Sequence, residues 1–373
     1  MEIFNPFLIS GYLGPEYFCD RKQETNNLMK ALKNGRNVTL LAPRRMGKTG
    51  LIKHVLHQAK SQNADLQTFY IDIYSTGNLN DFAKLFASTV LGELDSAPKK
   101  IWKKVGNFIK SFRPTMSINE LTGLPQVSVE MNPGMEENSL KEIFEYLKAS
   151  GKTCYIAFDE FQQIAEYPET GVEALLRPYI QFIPNVHFIF SGSKQHVMQE
   201  MFLSAKKPFY QSTQSMVIDR IAQDTYYDFA AGFFPSRRPL SKEAFDLIYT
   251  RFNGHTWYMQ CILNRLFSYS EAIDEKTVLR ALSEIVEESS YYYESLLTAY
   301  GTGISNLLKA IAKEGCVKEI LAGEFITKHA LKAASSVKSL MKKAIDNELV
   351  YKTPEGYIVY DRFMAEYLRN KLF

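Results

Sequence analysis

The chain has 373 residues, 46% hydrophobic and 23% charged, and carries a net charge of only +3. That length exceeds one ordinary core, so two or three domains are expected; the small charge excludes a global polyanion-binding surface, and no apolar run is long enough to span a bilayer. Four widely separated cysteines (Cys19, Cys154, Cys261 and Cys316) and a start without a basic-then-apolar leader point to a reducing, cytoplasmic setting.

Residues 1–19 are aromatic and turn-rich, unlike a disordered tail. They either close over a nucleotide base or pack as core. Asp20 is expected to N-cap a helix, with Gln23 completing a capping box, and Asn34-Gly35 to stop it. Val38 to Leu41 reads as a short buried strand, followed by Ala42-Pro-Arg-Arg-Met-Gly47-Lys48-Thr49-Gly50 at the head of an apolar-periodic helix. This spacing fits a P-loop with Ala42 in place of the first glycine. Backbone amides of a tight turn and the positive end of a helix can cradle a polyphosphate. The site comprises Ala42, Pro43, Arg44, Arg45, Met46, Gly47, Lys48, Thr49 and Gly50. Lys48 would pair with the β- and γ-phosphates, and the Thr49 hydroxyl would ligate Mg²⁺. His54 and His57 lack the further ligands a metal needs, so they read as surface residues.

A strand over residues 66–74 and a helix over 79–91 follow. Residues 94–135 form an insertion. Lys99, Lys100, Lys103, Lys104, Lys110 and Arg113 alternate with Ile101, Trp102, Val105, Phe108, Ile109 and Phe112, the pattern of a basic amphipathic helix. A hairpin is expected around residues 126–131. After a helix over 136–149, the apolar run Cys154-Tyr-Ile-Ala-Phe-Asp159-Glu160 has the form of a Walker B strand. Asp159 would hold hydrated Mg²⁺ and Glu160 would orient or deprotonate the attacking water. A helix over 172–182 leads to the strand 186–190 and to Ser191-Gly-Ser193, where Ser193 suits a γ-phosphate sensor. Another helix and a strand at 215–218 complete at least five strands alternating with helices, hence a parallel sheet. Arg45 is the first candidate for an arginine that meets transition-state charge; Arg44, Arg177 and Arg220 are the others, the last two expected near the sheet's carboxyl edge.

From Ser241, an expected helix cap, strands cease. Helices continue through Tyr291-Tyr-Tyr293, interrupted at Asn253-Gly254-His255-Thr256. The last 73 or so residues read as three helices and a wing, Leu349-Val-Tyr-Lys paired with Tyr357-Ile-Val-Tyr, a basic winged helix-turn-helix. The expected fold is thus α/β: a P-loop NTPase core over residues 1–235, a helical lid over 236–298 and a winged-helix domain over 299–373.

With these motifs in this order, the chain resembles the archaeal-type ATPases of the STAND branch of AAA+-like proteins. The matching residues are Asn5-Pro6-Phe7, Phe18-Cys-Asp-Arg21, Pro43-Arg-Arg-Met-Gly-Lys-Thr49, Phe158-Asp-Glu160, Ser191-Gly-Ser193, Gly254-His255 and Tyr360-Asp-Arg-Phe363. The resemblance implies ATP or ADP as ligand with Mg²⁺, slow hydrolysis coupled to a conformational switch, and a lid contact to the nucleotide through His255. Thr256 stands where the family's lid motif usually has Pro. Three functions are weighed: an ATP-driven switch working on a protein partner or by self-association, a DNA-binding regulator or mobile-element protein using the winged helix, and a nucleotide-holding interaction module with little turnover. The third helix of the winged domain offers Lys338, Lys342 and Lys343 but, apart from Asn347 just beyond it, no Arg, Asn or Gln to read base edges, which favours the switch.

Overall fold

The computed structural model describes residues 5–94, 110–118, 125–132 and 134–370. These fall into two compact units, one formed by residues 8–229 with 255–257, the other by the N-terminal residues through Phe7 with 230–254 and 258 onward.

The first unit alternates strands and helices: α1 (Lys22–Lys33), β1 (Val38–Leu41), α2 (Lys48–Gln62), β2 (Gln67–Asp72) and α3 (Leu79–Leu94). A hairpin of β3 (Phe112–Ile118) and β4 (Pro125–Met131) follows, then α4 (Glu136–Ala149), β5 (Cys154–Asp159), α5 (Val172–Phe182), β6 (Val186–Ser191), α6 (Gln195–Leu203), β7 (Gln214–Val217) and α7 (Gln223–Phe233). The main sheet is parallel, in the order β2-β5-β6-β1-β7. Its inner strands β5, β6 and β1 are buried on both faces, which explains their apolar runs, while the edge strands β2 and β7 are partly exposed. Ile156, Phe158 and Phe190 enter one core with Phe82, Phe86 and Phe144, while Tyr155, Ala157 and Ile189 enter another with Leu51, Val55 and Leu28. Because all five strands run the same way, the P-loop, Asp72, Asp159 and Ser191 emerge at one edge, where sheets of this kind bind ligands.

Three expectations are corrected. The Asp20–Gln23 capping box does not form: Asp20 and Arg21 both take left-handed backbone (φ 48° and 55°), α1 starts at Lys22, and no side chain caps it. The basic helix of the insertion lies mostly outside the described residues, and its expected end, Phe112 and Arg113, is strand instead. There Phe112 and Val129 of the hairpin are buried in the core that holds α3. His54 is no surface residue but 5% exposed, stacked on Phe18 at 4.2 Å.

The second unit holds α8 (Lys242–Phe252), α9 (Thr256–Phe267), α10 (Glu275–Glu288) and α11 (Ser290–Tyr300), with Ser241 capping α8 through the amide of Ala244 as expected. Thr256, where α9 starts, groups with the first unit, as do its two neighbours. Asn253 and Gly254 turn the chain in left-handed conformations, and a Cβ on Gly254 would meet the Tyr249 ring at 2.7 Å. Phe7 packs between Phe233, Phe234 and Phe267, and Asn5 and Asn264 exchange bonds with each other's neighbourhood, Asn5 Nδ2 to the Asn264 carbonyl and Asn264 Nδ2 to that of Phe7. The winged helix consists of α12 (Thr302–Glu314), α13 (Gly323–Lys328), α14 (Ala334–Asp346), the wing of β8 (Val350–Lys352) and β9 (Tyr357–Val359), and a closing α15 (Arg362–Asn370). Tyr258 ties this end down: Phe363 packs edge-on to its ring, and its hydroxyl donates to the Tyr360 carbonyl and accepts from the Arg362 amide. Glu366, 1% exposed, is neutralised by Arg251 and Arg369, each at 2.5 Å. No helix among the described residues is long and apolar enough to cross a membrane.

Candidate active site

The site is built on the turn between β1 and α2. Gly47 takes a left-handed conformation (φ 89°) and so does Arg45 (φ 66°), which folds residues 42–47 into a tight loop ahead of the amides that open α2. Lys48, 6% exposed, turns back under this loop and donates to the carbonyls of Ala42 and Pro43, both at 3.0 Å. Burial pulls its pKa down to about 8, against the pull of the Asp159 and Glu160 carboxylates, while Arg44 pushes the same way as burial. Two of the three ammonium protons are thus held by the loop, which fixes the direction of the third.

Thr49 Oγ1 donates to Asp159 Oδ2 at 2.6 Å, joining two residues 110 positions apart. Asp159 is 2% exposed and accepts three further bonds: from Tyr70 at 2.8 Å, from the Glu160 amide at 3.0 Å and from Ser191 Oγ. A buried carboxylate with four donors is held in one orientation. The Thr49 hydroxyl and Asp159 are hard oxygen donors, which suits Mg²⁺, an ion that keeps several waters and takes few protein ligands. Among the described residues no group of three or more His, Cys, Asp and Glu side chains could hold a metal by itself.

Glu160 follows in a left-handed conformation (φ 54°), and its Oε2 accepts from Ser193 Oγ at 2.6 Å. Ser193 therefore lies on the carboxylate beside Asp159, and Ser191, its neighbour in the same turn, lies on Asp159 itself. The order of the sheet explains this: β6 runs between β5 and β1, so its tip reaches both motifs.

The arginines divide. Arg45 is exposed and its guanidinium stacks over the Trp257 ring at 3.9 Å; the Trp257 amide donates to the Arg45 carbonyl at 3.2 Å. Thr256 Oγ1 reaches the Met46 carbonyl at 3.5 Å, a bond that a proline there could not make. His255 is half-buried in the same short segment against the loop. Arg177 faces solvent from α5 and bonds Gln181 within that helix. Its next turn lies beside the start of β1, since Asn37 donates to the Ile180 carbonyl, so the carboxyl-edge expectation fails for Arg177. Arg220 is exposed beyond β7.

Two residues had no role in the sequence reading. Arg21, 3% exposed, donates to the carbonyls of Met46 and Asp219 and pairs with Glu24, bracing the loop from behind. Tyr70 holds Asp159, and burial together with that carboxylate drives its pKa up, so it stays a donor. Its only sequence signal is its position one turn of pleat before Asp72, where register sets Tyr70 against Ala157 and Asp72 against Asp159.

Comparison with known proteins bears on this geometry. Among solved structures, the chain is similar to the Walker-type ATPase PABY2304 of Pyrococcus abyssi, with 17% identity, 98% of this chain and 99% of that one covered, and a TM-score of 0.65. It is also similar to the ORC2 protein of Aeropyrum pernix in its ADPNP-ADP complexes (14%, 99% and 98%, TM-score 0.59) and to the ORC1 protein of the same organism in complex with DNA (13%, 96% and 94%, TM-score 0.54). At such identities the likeness is one of fold. No curated protein matches the sequence. A winged helix domain family matches residues 291–370. The family described as an ATPase domain predominantly from Archaea matches residues 18–262, from just ahead of α1 into α9, and the chain belongs to that family.

Proposed function

We propose that the protein is a Mg²⁺-dependent ATPase of low turnover, of the STAND type, that serves as a nucleotide-dependent conformational switch. The observation that carries this reading is the Thr49–Asp159 bond, which brings the P-loop hydroxyl and the Walker B carboxylate to one point. Residues 44–49 would wrap the phosphates with backbone amides, Lys48 would direct its remaining proton at them, and Thr49 with Asp159 would hold the ion. The nucleotide supplies the phosphoanhydride bond to be cleaved. Glu160 takes the proton of the attacking water, Ser193 steadies Glu160, and Arg45, kept beside the loop by Trp257, matches charge that develops on the transferred group. His255 is assigned to the bound nucleotide as well.

A second reading draws on the winged helix and on ORC1, a protein whose structure holds DNA. Lys338, Lys342 and Lys343 are exposed on α14 and could meet phosphates. Asn347, the amide side chain just beyond α14, is otherwise engaged: its amide donates to the Lys343 carbonyl at 2.7 Å and its oxygen accepts from Tyr300 at 3.2 Å. Phosphate contacts without base readout position a protein but do not specify a sequence. The switch is therefore the better supported reading, its output going to a protein partner or a second copy.

Two measurements, on the wild type and one variant, test it. Wild-type protein should hydrolyse ATP only with Mg²⁺, and hydrogen exchange over residues 242–370 should differ between ATP-loaded Glu160→Gln protein and ADP-loaded wild type. Absence of turnover would remove the ATPase, and identical exchange would remove the switch.

A further inference from the structure

We infer that Gln162 is the positioning residue for the hydrolytic carboxylate: its side-chain amide pins Glu160 Oε2 and so leaves Oε1 to take the water. The inference rests on Glu160 acting on water as proposed above. Gln162 lies in the short 3-10 turn Phe161–Glu166 directly after the Walker B strand and is 3% exposed. Its Nε2 donates to Glu160 Oε2 at 2.5 Å and to Ser193 Oγ at 3.3 Å. Ser193 donates to the same Oε2 twice, from Oγ at 2.6 Å and from its amide at 3.4 Å. Three donors converge on one oxygen of Glu160, and among the described residues none reaches the other.

The amide's orientation follows from chemistry, because an ionised carboxylate offers no proton and must be faced by the NH₂ end. That choice leaves Gln162 Oε1 buried without a hydrogen-bond partner. An orphaned buried carbonyl is costly, and a residue needed only for packing would fill this place better as Met or Leu. The benefit of glutamine must then lie in its donor. The sensor turn locks the amide from behind: a Cβ on Gly192 would stand 2.2 Å from Gln162 Oε1 and 2.7 Å from Met198 Sδ, so the backbone can approach this closely only as glycine. Glu160's left-handed backbone needs such external support, since nothing in a regular strand or helix sets its side chain.

Gln162→Met keeps the length and removes the donor. We expect kcat to fall about 10–100-fold, as for loss of a charge-assisted contact that orients a reacting group, while KM and ADP affinity stay within about twofold. In a Glu160→Gln background the same change should cost nothing more, because the two act as a unit. Gly192→Ala, which displaces the amide without altering Gln162, should reproduce the kcat loss, and Gln162→Leu serves if the Met variant does not fold. Turnover at or above the wild-type rate, loss of affinity in step with kcat, or losses that multiply in the double variant would each overturn the inference. Should Glu160→Gln alone turn over at the wild-type rate, it is the assignment of Glu160 that fails.

Discussion

Arg21 Nη2 donates to the carbonyl of Met46 at 3.1 Å, so a residue ahead of the first helix supports the apex of the P-loop 25 positions later. The same guanidinium satisfies the Asp219 carbonyl beyond β7 and Glu24. Arg21→Ala would strand two carbonyls at a site that is 3% exposed, and is expected to cost about 2–4 kcal/mol. Urea unfolding measures it; an unchanged midpoint would mean that the loop does not depend on this brace.

A second prediction concerns pH. Tyr12 and Gln58 bond the two ring nitrogens of His54, and Phe18 covers its face. Burial, followed by the nearby His57, lowers its pKa. The unfolded chain therefore takes up a proton here at the ordinary imidazole value while the folded chain resists, so stability falls as pH drops through that value and levels off only below the depressed one. His54→Phe should flatten the dependence between about pH 7.5 and 5.5. His187, also lowered by burial, is present in both proteins and cancels. Equal slopes would show that His54 is not the group responsible.

The P-loop, β5 and β6 were legible because each is local: fixed spacing for the loop, unbroken apolar runs for strands buried on both faces. Arg21 was not. In sequence it sits beside Asp20 ahead of an apolar-periodic helix, the signature of a cap, and only the left-handed backbone of both residues shows why no cap forms. Tyr70 escaped notice for a different reason. Its bond to Asp159 depends on which strand neighbours β2, and strand order is a tertiary property that no local pattern carries. Nor could charge alternation foresee that Phe112 and Arg113 would enter a strand, since tertiary pairing with β4 overrides a helical period over so few residues.

Arg45 and Trp257 make a third prediction. If the arginine meets transition-state charge, Arg45→Ala should lower kcat about tenfold or more with a much smaller effect on ATP binding. Trp257→Leu, which removes the ring under the guanidinium, should show the same split at smaller size. Steady-state kinetics with a separate binding titration distinguishes this from a ground-state contact, in which both quantities fall together.

Glu160 and Asp159 should separate chemically although they are adjacent. Glu160→Gln is expected to keep ATP and lose turnover by about 10²–10⁴-fold, whereas Asp159→Asn should also lose its response to Mg²⁺. Turnover of Glu160→Gln at the wild-type rate would assign the water to another residue.

Whether this P-loop holds the nucleotide is decided by calorimetric titration of ATP with Mg²⁺ into wild-type and Lys48→Ala protein. Lys48 contributes a charge-assisted contact from a buried position, typically worth about 1.5–3 kcal/mol. Binding to the wild type should be measurable and the affinity of the variant at least about tenfold weaker, since about 1.4 kcal/mol corresponds to a factor of ten. Equal affinities for the two proteins would contradict binding at this loop.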